Sequence, residues 1–264
     1  MATYLDAILA AHRTAAATDR RPLDRLIDEA AACPPAVPAA AALTAGPLLA
    51  VIAEVKRASP SKGALAPDLD ATDLARTYGS AGASMVSVLT DEQFFSGSPA
   101  DLAAARRGFA GPLLRKDFTV SAADVCDARL MGADVVLLIA AALDDAELAD
   151  FAQLARQVGL AALVEAHDEA EVARAVEVAD AELVGVNQRD LVTFQVDTDR
   201  AVRVAAEIPD GVVAVAESGV RGPADARRLA DAGYHAVLVG EHLVTAADPA
   251  AALAELAVPR APVP

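Results

Sequence analysis

Only three of the 22 basic residues in this chain are lysine, namely Lys56, Lys62 and Lys116. The other 19 are arginine, whose guanidinium does not give up its proton, so the lysines mark places where a titratable amine is useful. Lys56 follows Glu54 by two residues in Ala53-Glu54-Val55-Lys56-Arg57-Ala58-Ser59, and Lys116 ends the run Leu113-Leu114-Arg115-Lys116. Glu165 ends Leu163-Val164-Glu165, Asn187 and Arg189 follow Val186, and Glu217 precedes Ser218-Gly219. A lysine and a glutamate brought together suit proton transfer, which makes Lys116 and Glu165 the candidate general acid and general base. A site that desolvated Lys116 would lower its pKa toward the working pH. One such pair is a common structural arrangement. Convergence with Glu54, Lys56, Asn187, Arg189 and Glu217 is what points to a reaction centre. The turns Ser218-Gly219 and Gly240-Glu241 add a second chemistry. Their small residues let backbone N–H groups approach a phosphate, and a helix starting near 241 would add its positive end.

These residues lie far apart in sequence, so the fold must gather them. Short runs at 48–55, 83–89, 111–115, 134–138, 160–164, 182–186, 212–216 and 236–239 read as strands. Amphipathic, alanine-rich stretches at 68–81, 121–131, 144–157, 168–178, 198–207, 222–232 and 248–256 read as helices. Gly82, Gly132, Gly159 and Gly233 stand where a helix should stop before the next strand. Eight alternating units with strands apolar on both faces predict an α/β protein with a closed parallel (β/α)8 TIM barrel. A doubly wound open sheet is the alternative, but no GxGxxG follows the first strand. Barrel active sites form at the carboxyl ends of the strands, which is where every candidate above falls. The two-residue period puts Ile52, Glu54 and Lys56 on one face, and Leu114 with Lys116. Opposite charges inside a barrel mouth are unfavourable unless paired or used, and a structural ion pair is the plainer reading.

The barrel is expected over 48–258. Residues 1–47 form an N-terminal helical extension, with helices near 4–17 and 22–32 and a Pro/Ala-rich connector at 34–47. That is too short for a second domain and suits a lid or plug over one end. The proline-rich tail 259–264 is expected to fray. Phe94, Phe95 and Phe118 fall in loops on the active face, where a flat apolar substrate ring or packing under the lid would explain them.

With 264 residues and 55% hydrophobic content, the chain can bury a large core, though only 3% is aromatic. The net charge of −16 argues against nucleic acid or an anionic membrane as a partner. An anionic small substrate would need the scarce cations concentrated at its site. No apolar run reaches the roughly 18 residues of a membrane span, and no basic-then-apolar leader opens the chain, so a cytoplasmic protein is expected. Cys33 and Cys126 read as reduced thiols, and His12, His167, His235 and His242 form no ligand pattern, so no metal is expected. A monomer is the expected state.

Taken together, the segments resemble the indole-3-glycerol phosphate synthase family, the ring-closing enzymes of tryptophan biosynthesis. The likeness is carried by Ile52-Ala53-Glu54-Val55-Lys56-Arg57-Ala58-Ser59-Pro60-Ser61-Lys62-Gly63 and by Val88-Leu89-Thr90-Asp91-Glu92-Gln93-Phe94-Phe95-Ser96-Gly97-Ser98. It continues through Leu114-Arg115-Lys116-Asp117-Phe118, Leu163-Val164-Glu165, Gly185-Val186-Asn187-Gln188-Arg189-Asp190-Leu191 and Glu217-Ser218-Gly219, covering about residues 48–250. The resemblance implies a carboxy-lyase without cofactor or metal. Its substrate would be 1-(2-carboxyphenylamino)-1-deoxyribulose 5-phosphate, which loses carbon dioxide and water on ring closure. By resemblance, Lys116 is the general acid, Glu165 the base of the dehydration, and Lys56 the partner of the substrate carboxylate. Glu54, Asn187, Arg189 and Glu217 would orient the chain and carboxylate. Ser59, Ser218, Gly219, Gly240 and Glu241 match the phosphate positions, and Phe95 and Phe118 the ring positions. Glu241 stands where some members carry serine, so its backbone N–H would make that contact. The stretch 34–47 lacks the aromatic and basic residues often seen before the first strand. Two competing readings remain: another phosphate-binding barrel, such as an isomerase, and a degenerate barrel serving as a binding subunit. The first would lack the Glu54/Lys56/Lys116/Glu165 set; the second would bind substrate without turnover.

Overall fold

A computed structural model of the chain describes residues 3–60, 62–190 and 195–260. Its eight parallel strands are β1 (Ala50–Val55), β2 (Met85–Leu89), β3 (Leu113–Lys116), β4 (Val135–Ile139), β5 (Ala161–Ala166), β6 (Leu183–Asn187), β7 (Val213–Glu217) and β8 (Ala236–Val239). They pair in chain order, and β1 pairs with both β2 and β8 to close a (β/α)8 TIM barrel, as the alternating pattern predicts. The sequence signal is physical: both faces of each strand are covered. Ile52, Met85, Leu114, Leu137, Leu163, Leu183, Val215 and Leu238 fill the interior. Val51, Val86, Leu113, Val136, Val164, Val184 and Val237 face the helices instead. Glu54, Lys116, Glu165, Asn187 and Glu217 share the inward parity, so the pleat aims all five into the mouth.

Helices α1 (Tyr4–Thr18), α2 (Leu23–Ala31) and α3 (Ala39–Thr44) precede the barrel. Around it run α4 (Ala71–Ser80), α5 (Glu92–Phe95), α6 (Pro99–Gly108), α7 (Ala122–Leu130), α8 (Asp145–Gln157) and α9 (Glu169–Glu177). They are followed by α10 (Arg200–Val204), α11 (Pro223–Asp231), α12 (Glu241–Val244) and α13 (Pro249–Ala254). Many are started by an acid or serine whose side chain accepts leading N–H groups, as Asp70, Ser121, Asp144 and Asp168 do. Gly82, Gly132, Gly159 and Gly233 all take positive φ where the chain turns back to a strand. The helix expected over 198–207 is shorter: α10 gives way to a 3-10 turn at Ala205–Glu207. No helix among the described residues is long and apolar enough to cross a membrane.

The N-terminal helices divide between the two ends. Tyr4, Leu5 and Ile8 of α1 line the mouth, and Arg13 reaches Glu147 of α8 at 2.7 and 2.9 Å. Helix α2 packs on α7, with Arg21 held by Asp127 at 2.7 and 2.8 Å. The expected connector at 34–47 holds a helix, α3, whose buried Ala39 and Leu43 join the interior cluster where the strands begin. The closing stretch is tied there too: Leu48 bridges Pro259, and Arg260 donates to the Thr44 and Gly46 carbonyls at 3.2 and 2.6 Å. Fraying was expected from 259 onward; Pro259 and Arg260 are fastened, and 261–264 lie outside the described residues.

Candidate active site

A cavity of about 710 Å³ opens over the carboxyl ends of the strands. All three lysines reach it, together with Arg189 and Arg221, so this acidic chain does concentrate cations there. Lys116, at the end of β3, donates to Glu165 Oε2 at 2.7 Å and lies 3.2 Å from Glu217 Oε2. Glu165 Oε1 accepts from Asn187 Nδ2 at 3.0 Å, and Asn187 Oδ1 accepts from the Arg189 backbone N–H at 3.0 Å. Lys56 and Glu54 pair at 2.6 Å. The structure therefore brings Glu54, Lys56, Lys116, Glu165, Asn187, Arg189 and Glu217 to one mouth.

Two glycines make room for these charges. A Cβ on Gly185 would sit 2.1 Å from Glu217 Oε1. On Gly240 it would sit 2.0 Å from Glu54 Oε2 and 2.8 Å from Lys56 Nζ. Both side-chain-free positions are occupied by the tips of buried carboxylates.

Burial by itself would lower the pKa of Lys116, as expected from the sequence. The carboxylates of Glu165, Glu217 and Glu54 outweigh that effect and hold it well above the ordinary lysine value, so the expected lowering is overturned. Burial likewise favours neutral Glu165, but Lys116, His167 and Asn187 together hold it down to about 2. Glu217 is the group that yields. Burial, with Glu165 nearby, pushes it up to about 8 against the pull of Lys116. At neutral pH Lys116 is thus charged, Glu165 is ionised and Glu217 holds its proton, so the ammonium is balanced by one carboxylate.

Beside this cluster lies the small-residue turn after β7. Ser218 and Gly219 both take left-handed backbone, with φ of 65° and 77°. Serine pays a conformational cost there, and such strain persists only where the surroundings impose it. Gln188 Nε2 holds the turn through the Ser218 carbonyl at 2.7 Å. After β8, Gly240 precedes α12, which begins at Glu241 as expected. The leading N–H groups of any helix have no acceptor within the helix. The Glu241 side chain turns to Lys62 at 3.5 Å. Ser59 lines the same region, and its buried Oγ meets no hydrogen-bond partner among the described residues.

The phenylalanines divide. Phe94 and Phe95 lie on the short helix α5 and not in a loop, because Asp91 caps their N–H groups at 2.6 and 3.2 Å. Phe94 packs edge-on against Tyr4 of α1, which is the lid packing. Phe95 and Phe118 line the cavity with their rings 6.3 Å apart.

Two groups of functional interest escaped sequence reasoning. His12 of α1 bonds Asp91 at 2.8 Å and approaches Asp117 at 3.9 Å, fastening the lid to the mouth. Asp117 is already engaged by Arg115 at 2.9 Å and Thr90 at 2.5 Å. His167 lies beside Glu165, and parity could have found it, since 165 and 167 share a face.

A family model described as indole-3-glycerol phosphate synthase matches residues 5–256. An indole-3-glycerol phosphate synthase of Streptomyces griseus is 53% identical over 89% of this chain and 86% of its own length. One from Rhodococcus jostii is 50% identical over 96% of this chain and 94% of its own. Among solved structures, a 3-hexulose-6-phosphate synthase superposes with a TM-score of 0.62 at 18% identity, covering 79% of this chain and 98% of that one. At that identity the likeness is one of fold alone.

Proposed function

Because the chain belongs to the indole-3-glycerol phosphate synthase family, we propose that it closes the ring of 1-(2-carboxyphenylamino)-1-deoxyribulose 5-phosphate, releasing carbon dioxide and water. The observation that carries this reading is the contact of Lys116 with Glu165 at 2.7 Å, in a cavity also lined by Phe95, Phe118 and the turns Ser218-Gly219 and Gly240-Glu241.

The substrate has three parts, and the mouth offers a partner for each. Its phosphate lies against the backbone of Ser218, Gly219, Gly240 and Glu241, with Ser59 adding its hydroxyl. Its aromatic ring sits by Phe95 and Phe118. Its carboxylate meets Lys56, with Arg189 and Asn187 orienting it, while Glu54 and Glu217 hold the sugar hydroxyls and the lysines. The ring carbon that bears the carboxylate attacks the chain carbonyl, and Lys116 protonates the oxygen as the new bond forms. The carboxylate then leaves as carbon dioxide, its bonding electrons restoring the aromatic ring. In the dehydration Lys116, recharged from solvent, gives the hydroxyl a second proton so that it departs as water, while Glu165 takes the proton from the neighbouring carbon. The charged Lys116 suits the acid, and the ionised Glu165 suits the base.

Mass spectrometry of the product tests this. The account expects a mass lower than the substrate by one carbon dioxide and one water. An unchanged mass would indicate an isomerase, and binding without a new species would indicate a degenerate barrel.

A further inference from the structure

We propose that Glu171 and His167 form a proton conduit from the protein surface to Glu165, supplying the proton that each turnover draws from solvent. This rests on the reaction assigned above. With the substrate carboxylate ionised, two protons go to the oxygen that leaves as water and one returns from carbon. One proton must therefore enter for every product formed. Glu165 and Lys116 exchange protons across their 2.7 Å contact, but that exchange alone makes no net delivery.

The geometry supplies a route. Glu171, in the first turn of α9, has 18% of its side chain exposed; His167 has 13% and Glu165 only 2%. Glu171 Oε2 lies 3.0 Å from His167 Nδ1. The opposite ring nitrogen, Nε2, lies 3.5 Å from Glu165 Oε1. It is buried and meets no hydrogen-bond partner among the described residues. A small ring rotation brings it into bonding range, and catalytic hydrogen bonds are often long before substrate binds. Glu171 Oε2 also accepts the His167 backbone N–H at 2.8 Å. That is a helix-start contact, and it explains the position of Glu171 but not the ring contact. The charged groups facing the ring are Glu165 and Glu217 on the barrel strands and Glu171 on α9, with Lys116 beyond Glu165. Burial opposes charge on the ring, yet these carboxylates raise its pKa above the ordinary 6.5, so the ring has a proton to pass inward. His167 acts through Glu165 and is a positioning residue, not a group that touches substrate.

The test combines His167→Gln kinetics with a histidine-ring NMR titration of the whole protein. The account expects kcat of His167→Gln to fall by roughly tenfold with KM within about twofold. It also expects kcat to rise with imidazole concentration at fixed pH, while the wild type stays indifferent to the buffer. In the titration, His167 should lie above its ordinary value and move down in Glu171→Gln. A kcat within about twofold of wild type would overturn the proposal, as would a loss that imidazole leaves untouched. So would a His167 titration unmoved by Glu171→Gln. Should His167→Gln fail to fold, Glu171→Gln carries the same buffer-dependence test. A wild type that forms no product would refute the reaction assigned above, while the titration still decides whether the conduit is coupled.

Discussion

Where the eight strands begin, Ala50, Val135, Leu183, Val213 and Ala236 meet Ala39 and Leu43 of α3 in an apolar plug. Where the same strands end, Glu54, Glu165, Asn187 and Glu217 are buried side by side around the half-buried Lys116. Each buried ion carries a desolvation penalty of about several kcal/mol, which pairing only partly offsets. The apolar layer itself holds no ion; buried Asp134 beside it, just before β4, is paired with Arg106 and accepts the Val37 and Leu113 N–H groups at 2.8 Å. The barrel thus separates its tasks: one rim mainly supplies cohesion, and the other holds charges that cohesion must tolerate. Substitutions at the two rims should therefore fail in different ways.

The largest effect is expected at Lys116. Lys116→Ala should lower kcat by roughly a thousandfold or more while leaving the far-UV circular dichroism unchanged. Near-normal turnover would remove the assigned acid. Next comes the opposite rim. Leu43→Ala empties part of a fully buried site, and denaturant unfolding should show a loss of about 3 kcal/mol, with kcat per folded molecule retained. An equal loss of kcat would erase the division between the rims.

Gly185→Ala strikes the charged rim, because its new Cβ would meet Glu217 Oε1 at 2.1 Å. Displacing that carboxylate should cost kcat roughly a hundredfold, with a thermal midpoint that falls far less than in Leu43→Ala. The smallest effect concerns the lid. The hydrogen bond to Asp91 raises the pKa of His12. Asp91 is held low: burial opposes its charge, but His12 and the α5 N–H groups prevail. A raised histidine contributes stability that is complete below its unfolded value of about 6.5 and is lost as pH rises through its folded value. The Asp91 contribution is instead present above the ordinary carboxylate value and lost as pH falls through its lowered one. Thermal unfolding between mildly acidic and alkaline pH should therefore show a wild-type advantage over His12→Ala of about 1 kcal/mol or less, shrinking as pH rises. An advantage that grew with pH would contradict the clasp.

Much of this site was legible because strand parity is a local property. Once Ile52 and Leu114 are known to face inward, Glu54 and Lys116 follow, and the expected strands lie close to the observed ones. The helix α3 was not legible. Its six residues, Ala39–Thr44, are too few to show a period, and its cohesion comes from the strands it plugs. Helix α5 is shorter still and exists because Asp91 caps it. The protonation pattern was hidden for another reason. Lys116 faces carboxylates from β1, β5 and β7, which lie far apart in sequence, so burial alone gave the wrong direction for its pKa. His167 was within reach of parity, but only its contact with Glu165 gives it meaning.

Closure of an indole ring in this mouth can be watched directly, because the chain contains no tryptophan to mask the signal. Mixing the purified protein with 1-(2-carboxyphenylamino)-1-deoxyribulose 5-phosphate should produce indole fluorescence that grows with time and scales with protein concentration. A trace that stays flat while the substrate is demonstrably bound would contradict the account.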